Sequence, residues 1–198
     1  MRPIGRVTRV TVDQRESVER ARRGDHDAFA LLVRGSIAQL EAVSRLILRD
    51  RELARDAVQD AYIRAWTDLP GLRDPDRFEA WIHRLVVNAC LDSVRRRIRR
   101  PIEVELSPIN PPSVGDLSGL LADRDQLERG FHHLSIDHRA VLVLHYYLDM
   151  SVPALAEVLD IPLGTAQSRL GRALAALRAA IGTGHQPEPV PATRGQMV

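Results

Sequence analysis

The sequence predicts an all-α protein: two small helical domains joined by a flexible linker. Three observations lead there. Helical spacing of apolar residues dominates from about Gln14 to Arg100 and returns from about Leu121 to Ile181. Between these blocks, Pro101, Pro108, Pro111 and Pro112 crowd together with Ser, Gly and Asp, which blocks helix and reads as an extended linker over 101–120. Aromatic residues make up only 4% of a chain that is 44% hydrophobic. That balance suits small bundles built on Leu, Ala and Val rather than a thick β-sandwich core.

The elements follow in order. Residues 1–13 read as a loose arm, with basic residues but no apolar run long enough for a signal peptide. Gly24 and Asp25 break the first helix, and Asp25 or Asp27 caps the next. Ala28, Leu31, Leu32, Leu40, Val43 and Ile47 then recur at near-helical spacing, with Gly35 and Ser36 expected to interrupt or kink the run. Asp50 caps a further helix reaching about Leu69, where Pro70 and Gly71 end it. The loop Leu72–Asp76 precedes a last helix of the block, from about Pro75 to Arg97.

The second block reads as four short helical pieces. One, about Asp137–Tyr147, carries Val141, Leu142, Leu144 and Tyr147 and closes at Asp149 and Met150. Ser151 caps a short helix with Leu155, Ala156 and Leu159 apolar. After Asp160, Ile161 and Pro162 a further helix begins near Leu163, Pro suiting a helix start because an N–H there has no intrahelical partner. This is a helix, a tight turn and a helix. Residues 182–198, with Gly, three Pro and little apolar material, read as a disordered tail.

Composition narrows the function classes. Net charge is +2 and the pI about 9.2, with every one of the 28 basic residues an Arg. Codon usage in a GC-rich genome explains the bias, but Arg also brings bidentate chemistry for phosphate and guanine. The single cysteine, Cys90, excludes an intramolecular disulfide and sits in an apolar helical pattern as a small core residue does. No stretch approaches the length of a membrane span, so a soluble cytoplasmic protein without direct membrane insertion is expected.

Three surfaces carry candidate chemistry. On the helix from Leu163, Ala166, Leu170, Leu174, Leu177 and Ile181 line one face. Thr165, Gln167, Ser168, Arg169 and Arg172 lie opposite, where Gln pairs with adenine, Arg with guanine and Ser with phosphate or base. A solvated amphipathic helix fits that pattern too. On the helix Leu53–Trp66, Asp56, Gln59, Asp60 and Ile63 form a stripe that suits docking to a basic partner helix, and equally a solvated face. The helix from Phe78 begins apolar and ends in Arg95, Arg96, Arg97, Arg99 and Arg100, an electrostatic footprint for nucleic-acid phosphates. Cations also belong at any helix C-terminus. Asn88 precedes the run and has the groups to read a base edge.

Taken together the blocks resemble the extracytoplasmic-function (ECF) sigma factors of bacterial RNA polymerase, which consist of sigma region two, a linker and sigma region four. The stretch Asp25–Phe29 resembles the opening of region two, and Leu53–Trp66 is similar to its most recognisable segment. Phe78–Trp81 with Asn88, Asp92 and the Arg run resembles the melting and minus-ten segment. Ile161–Thr165 with Ser168, Arg169, Leu170 and Arg172 resembles the region-four recognition helix. The likeness covers roughly residues 14–181.

The resemblance implies region two over 14–100 and region four over 121–181. It implies docking of Asp56, Gln59, Asp60 and Ile63 on the polymerase clamp helices. It implies capture of a flipped minus-ten base with Asn88, aided by Trp81, Arg84, Arg95, Arg96 and the loop Leu69–Asp76. Thr165, Gln167, Ser168, Arg169 and Arg172 would contact the minus-thirty-five element. The implied partners are core RNA polymerase, promoter DNA and an anti-sigma factor. No catalytic residue, cofactor or metal is implied, because promoter opening traps an unstacked strand by binding energy.

The chain departs from the family pattern at several places. Gly35 and Ser36 stand where a bulky or aromatic residue is usual, and Val87 where a basic residue is common. Gly171 and Gln167 replace a larger side chain and a frequent cation, and Asp160 replaces a common turn Gly. These leave the promoter preference open.

Two rivals from other classes remain at this level. Asp56 and Asp60 lie one turn apart, as metal carboxylates do, but there is no HExxH, phosphate-cradling Gly loop or nucleophile elbow. A polymerase-independent helix-turn-helix regulator needs only the second block and has no use for the acidic stripe or the linker.

Overall fold

The computed structural model describes residues 12–99 and 120–182; the expected arm, linker and tail lie outside them, apart from their edges. All regular structure among the described residues is helical. In the first block α1 spans Val12–Arg22, α2 His26–Leu48, α3 Arg51–Asp68 and α4 Phe78–Arg99. In the second, α5 spans Leu120–His132, α6 Ile136–Leu142, α7 Val152–Leu159 and α8 Leu163–Gly182.

Local chemistry sets most boundaries. The Asp25 carboxylate accepts from the Ala28 N–H at 3.0 Å and caps α2, so Asp25 and not Asp27 is the cap. Asp50 accepts from the Glu52 and Leu53 N–H groups and caps α3. Ser135 and Ser151 cap α6 and α7 in the same way. Pro70 and Pro75 sit at the starts of two 3-10 turns, Leu69–Gly71 and Pro75–Arg77, so α4 begins at Phe78 and not at Pro75. Beyond α6 the helix widens into a π-helical turn, Val143–Tyr147, before Asp149 turns left-handed at φ 53°.

The expected interruption at Gly35 and Ser36 does not occur. The helix α2 runs unbroken through both. The Ser36 hydroxyl donates back to the Leu32 carbonyl at 2.7 Å and lies 2.8 Å from the Tyr62 hydroxyl on α3. The interruption is replaced by a local back-bond and a contact to the neighbouring helix.

The first block packs α2, α3 and α4 around Leu40, Val43, Ile47, Ala57, Val58, Ala61, Ile82 and Val86. Ala at the α3 positions lets the helices approach closely. An aromatic cluster of His26, Phe29, Tyr62 and Trp66 locks α2 to α3, with Phe29 and Trp66 edge-on at 5.1 Å. Cys90 is fully buried, and burial pushes its thiol up to about 11, so it is the inert core residue the pattern predicted. The second block packs α8 against α5, α6 and α7 around Val141, Leu144, Leu155, Val158 and Ala166. The blocks also touch: α4 packs on α7, and α2 on α6 and the π-helical turn.

Candidate functional site

The three predicted surfaces fall in different surroundings. Helix α8 divides as the periodicity says: Ala166 and Ala173 are fully buried, while Gln167, Ser168 and Arg172 are exposed and adjacent. Thr165 is half-buried beside them, and its carbonyl accepts from the Ser168 hydroxyl at 3.1 Å. Arg169 departs from this face. Its guanidinium turns back to the Asp137 carboxylate on α6 at 3.4 Å. At Gly171 a Cβ would meet nothing, so the glycine leaves open space on the exposed face where a larger side chain would project.

On α3, Asp56, Gln59 and Ile63 are exposed, with 60% of Ile63 accessible. An apolar side chain that open on a polar helix face is left largely uncovered by the described residues. Asp60 is half-buried and pairs with Arg96 at 3.4 Å. Thus Arg96, expected among the minus-ten group, lies beside the stripe. With Asp56, Gln59, Asp60 and Ser93 it lines a shallow groove between α3 and α4.

On α4, Trp81, Arg84, Asn88 and Arg95 recur at three-, four- and seven-residue steps and so share a face. Arg95 is exposed near the helix end and pairs with Asp92 at 3.5 Å. Asn88 is half-buried. Val87, where the family pattern has a basic residue, is fully buried and belongs to the core.

Sequence reasoning missed who covers this face. Arg84 donates to the Asp160 carboxylate at 2.9 Å, and Arg77 to that of Glu157. Both acids lie on or next to α7, more than seventy residues away along the chain. Only Asp160 had left a signal: an acid in a turn that usually takes glycine. It has φ 55° in the left-handed region. A second cross-block contact joins Arg49 to His132 at 2.7 Å. His83, also unflagged, is 2% exposed, with its ring N–H donating to the Glu79 carbonyl at 2.8 Å. Burial holds its pKa below the ordinary value. Among the described residues, no group of three His, Cys, Asp or Glu is placed to hold a metal ion, and no helix is long and apolar enough to cross a membrane.

A helical block with an exposed stripe on α3 and a basic-ended helix, followed by a helix-turn-helix, is the architecture of a transcription-initiation factor of the sigma class. Residues 32–100 match the family model of Sigma-70 region 2, and residues 124–177 that of Sigma-70 region 4. The chain is 34% identical to the ECF RNA polymerase sigma factor SigM of Mycobacterium tuberculosis over 159 residues, 80% of each protein. It is 32% identical to the ECF sigma-E factor of Escherichia coli K12 over 81% of this chain and 90% of that protein. The solved structure of CnrH in complex with the cytosolic domain of CnrY superposes with a TM-score of 0.61 at 28% identity, covering 87% of this chain and 99% of that one. The chain belongs to the ECF sigma factors, which direct RNA polymerase to specific promoters.

Proposed function

We propose that this chain carries core RNA polymerase to its promoters by three separate surfaces, each built on one helix. Asp56, Gln59, Asp60 and Ile63 on α3 dock on the polymerase clamp helices. Trp81, Arg84, Asn88, Arg95 and Arg96 on α4, with the loop 69–76, receive the minus-ten strand. Thr165, Gln167, Ser168 and Arg172 on α8 enter the major groove at the minus-thirty-five element. Arg169 supports α8 through Asp137 and contributes to DNA only indirectly. Regions two and four then occupy about 14–100 and 121–181, joined by 101–120, which at full extension spans about 70 Å.

The observation that carries this reading is the exposed apolar Ile63 within the stripe of Asp56, Gln59 and Asp60. A helix-turn-helix regulator acting alone has no use for that surface. The protein performs no chemistry of its own: it supplies recognition and traps an unstacked strand, while the polymerase forms bonds. Its place of work is the cytoplasm, where polymerase and genome are.

An anti-sigma protein is the expected regulator. CnrH is solved with the cytosolic domain of CnrY, and the sigma factor RpoE with the anti-sigma factor NepR from Bartonella quintana. The test mixes the purified chain with bacterial core polymerase and sheared genomic DNA and maps run-off transcripts. Discrete start sites that need the added chain support the reading. Absence of core binding overturns it in favour of the regulator.

A further inference from the structure

We propose that the cleft between α1, α2 and the start of α4 binds a small apolar amine, whose ammonium group meets Glu79 and His83 while its apolar body lies on Leu31, Leu32, Phe78 and Ile82. None of these residues belongs to the three surfaces proposed for polymerase and promoter DNA, so the site stands or falls apart from them.

The cleft has a volume of about 280 Å³. That is just below the roughly 300–1,000 Å³ of drug-sized sites, so it suits one ring with a short arm. Helical spacing builds its walls. On α2, Leu31, Leu32 and Gly35 stand within about one turn. On α4, Phe78 and Ile82 form one row, and Glu79 and His83 the next. Ser17 closes the side toward α1. Phe78 and Ile82 are buried, whereas Leu31 is 48% exposed, an apolar side chain that a ligand would cover.

Gly35 makes the room. A Cβ there would meet nothing. The backbone does not require glycine either, because Gly35 lies inside α2 without a positive φ. It stands where the family pattern has a bulky residue, and glycine inside a helix costs stability. What the position gains is the open cleft.

His83 carries the strongest mark. It is 2% exposed, and its ring lines the cleft. Its Nδ1–H donates to the Glu79 carbonyl at 2.8 Å, so Nε2 of the neutral ring is an acceptor. Burial keeps the ring neutral by holding its pKa down. Nε2 is buried with no hydrogen-bond partner. Such an acceptor has lost its hydration with no compensating bond.

Glu79 is one turn away and half-buried. Burial alone pushes its carboxyl up, with no cation beside it among the described residues. Two acceptors thus sit side by side, one of them a carboxylate. An ammonium group brings N–H donors for both and the opposite charge for Glu79. A ligand carboxylate or phosphate would meet like charge there.

The test is calorimetric titration of the full chain with phenethylamine, and with phenethyl alcohol as its neutral counterpart. Saturable one-to-one binding of the amine is expected. The alcohol should bind roughly 10-fold more weakly, because it lacks the charge-assisted hydrogen bond. Gly35→Met should abolish binding while the melting temperature stays or rises, since Met fills the cleft and favours helix. Glu79→Gln should bring amine and alcohol to equal affinity. The Nε2 resonance of His83, read by nitrogen NMR, should move on amine binding while Nδ1 stays. No saturable binding by the parent overturns the site and leaves the cleft to water. Equal affinity of the parent for amine and alcohol overturns the choice of a cation. Undiminished binding by Gly35→Met overturns the cleft as its location, and an unmoved Nε2 overturns the part given to His83.

Discussion

The helices α4 and α8 are both proposed to meet DNA, yet they present their polar faces differently. On α8, Gln167, Ser168 and Arg172 are open to solvent because Ala166, Leu170 and Ala173 anchor the opposite face within the same block. On α4, Arg84 is engaged by an acid from the other block. A face produced by one helix's own amphipathicity is ready as soon as its domain folds. A face at the junction of two domains depends on where the second one sits.

Several measurements break or sharpen this contrast. The largest effect is expected from Asp60→Arg, which should abolish core polymerase binding by calorimetry with little change in melting temperature; unchanged affinity removes α3 as the docking helix. Next come the two cores. Leu40→Ala and Leu144→Ala each truncate a fully buried side chain and should each cost about 2–5 kcal/mol in denaturant unfolding. The first should remove polymerase docking, the second promoter discrimination upstream while docking persists. If both variants lose both functions, the two blocks fold as one unit and the contrast between α4 and α8 weakens.

Arg172→Ala should cost roughly 1–3 kcal/mol in holoenzyme binding to duplex promoter DNA if the side chain reads a base bidentately. Arg169→Ala should cost less there and show instead as lost stability of the second block, because Asp137 is its partner. Smaller still is Asp25→Ala, expected to lower the melting temperature slightly through loss of the cap of α2.

The last prediction concerns acid. Burial holds His83 below its ordinary value of 6.5. The unfolded imidazole therefore takes up a proton that the folded one refuses, and His83 lowers stability as pH falls through about 6.5. Unfolding curves between pH 7.5 and 5 should show the slope, and His83→Leu should flatten it; an unchanged slope assigns it to other groups.

Much of this architecture was legible in the sequence because its causes are local. Asp25, Asp50 and Ser151 cap the helices they precede, and Cys90 is the core residue its spacing predicts. The family was legible too, since the order of stripe, basic helix end and helix-turn-helix lies in the chain itself. The misjudged α2 shows the limit of local rules. Gly35 and Ser36 are poor helix formers, but packing along a 23-residue amphipathic helix outweighs about 1 kcal/mol of intrinsic propensity.

What only the tertiary structure decided are the pairings across long separations: Asp60 with Arg96, Arg169 with Asp137, Arg77 with Glu157, Arg84 with Asp160. Periodicity tells which residues share a face, because it follows from the helix's own geometry. It does not tell what that face meets, because charged side chains carry no register and any arginine suits any carboxylate. That choice is made by the packing of whole helices, and here it set Asp160 against Arg84, one of the arginines the sequence had offered to DNA.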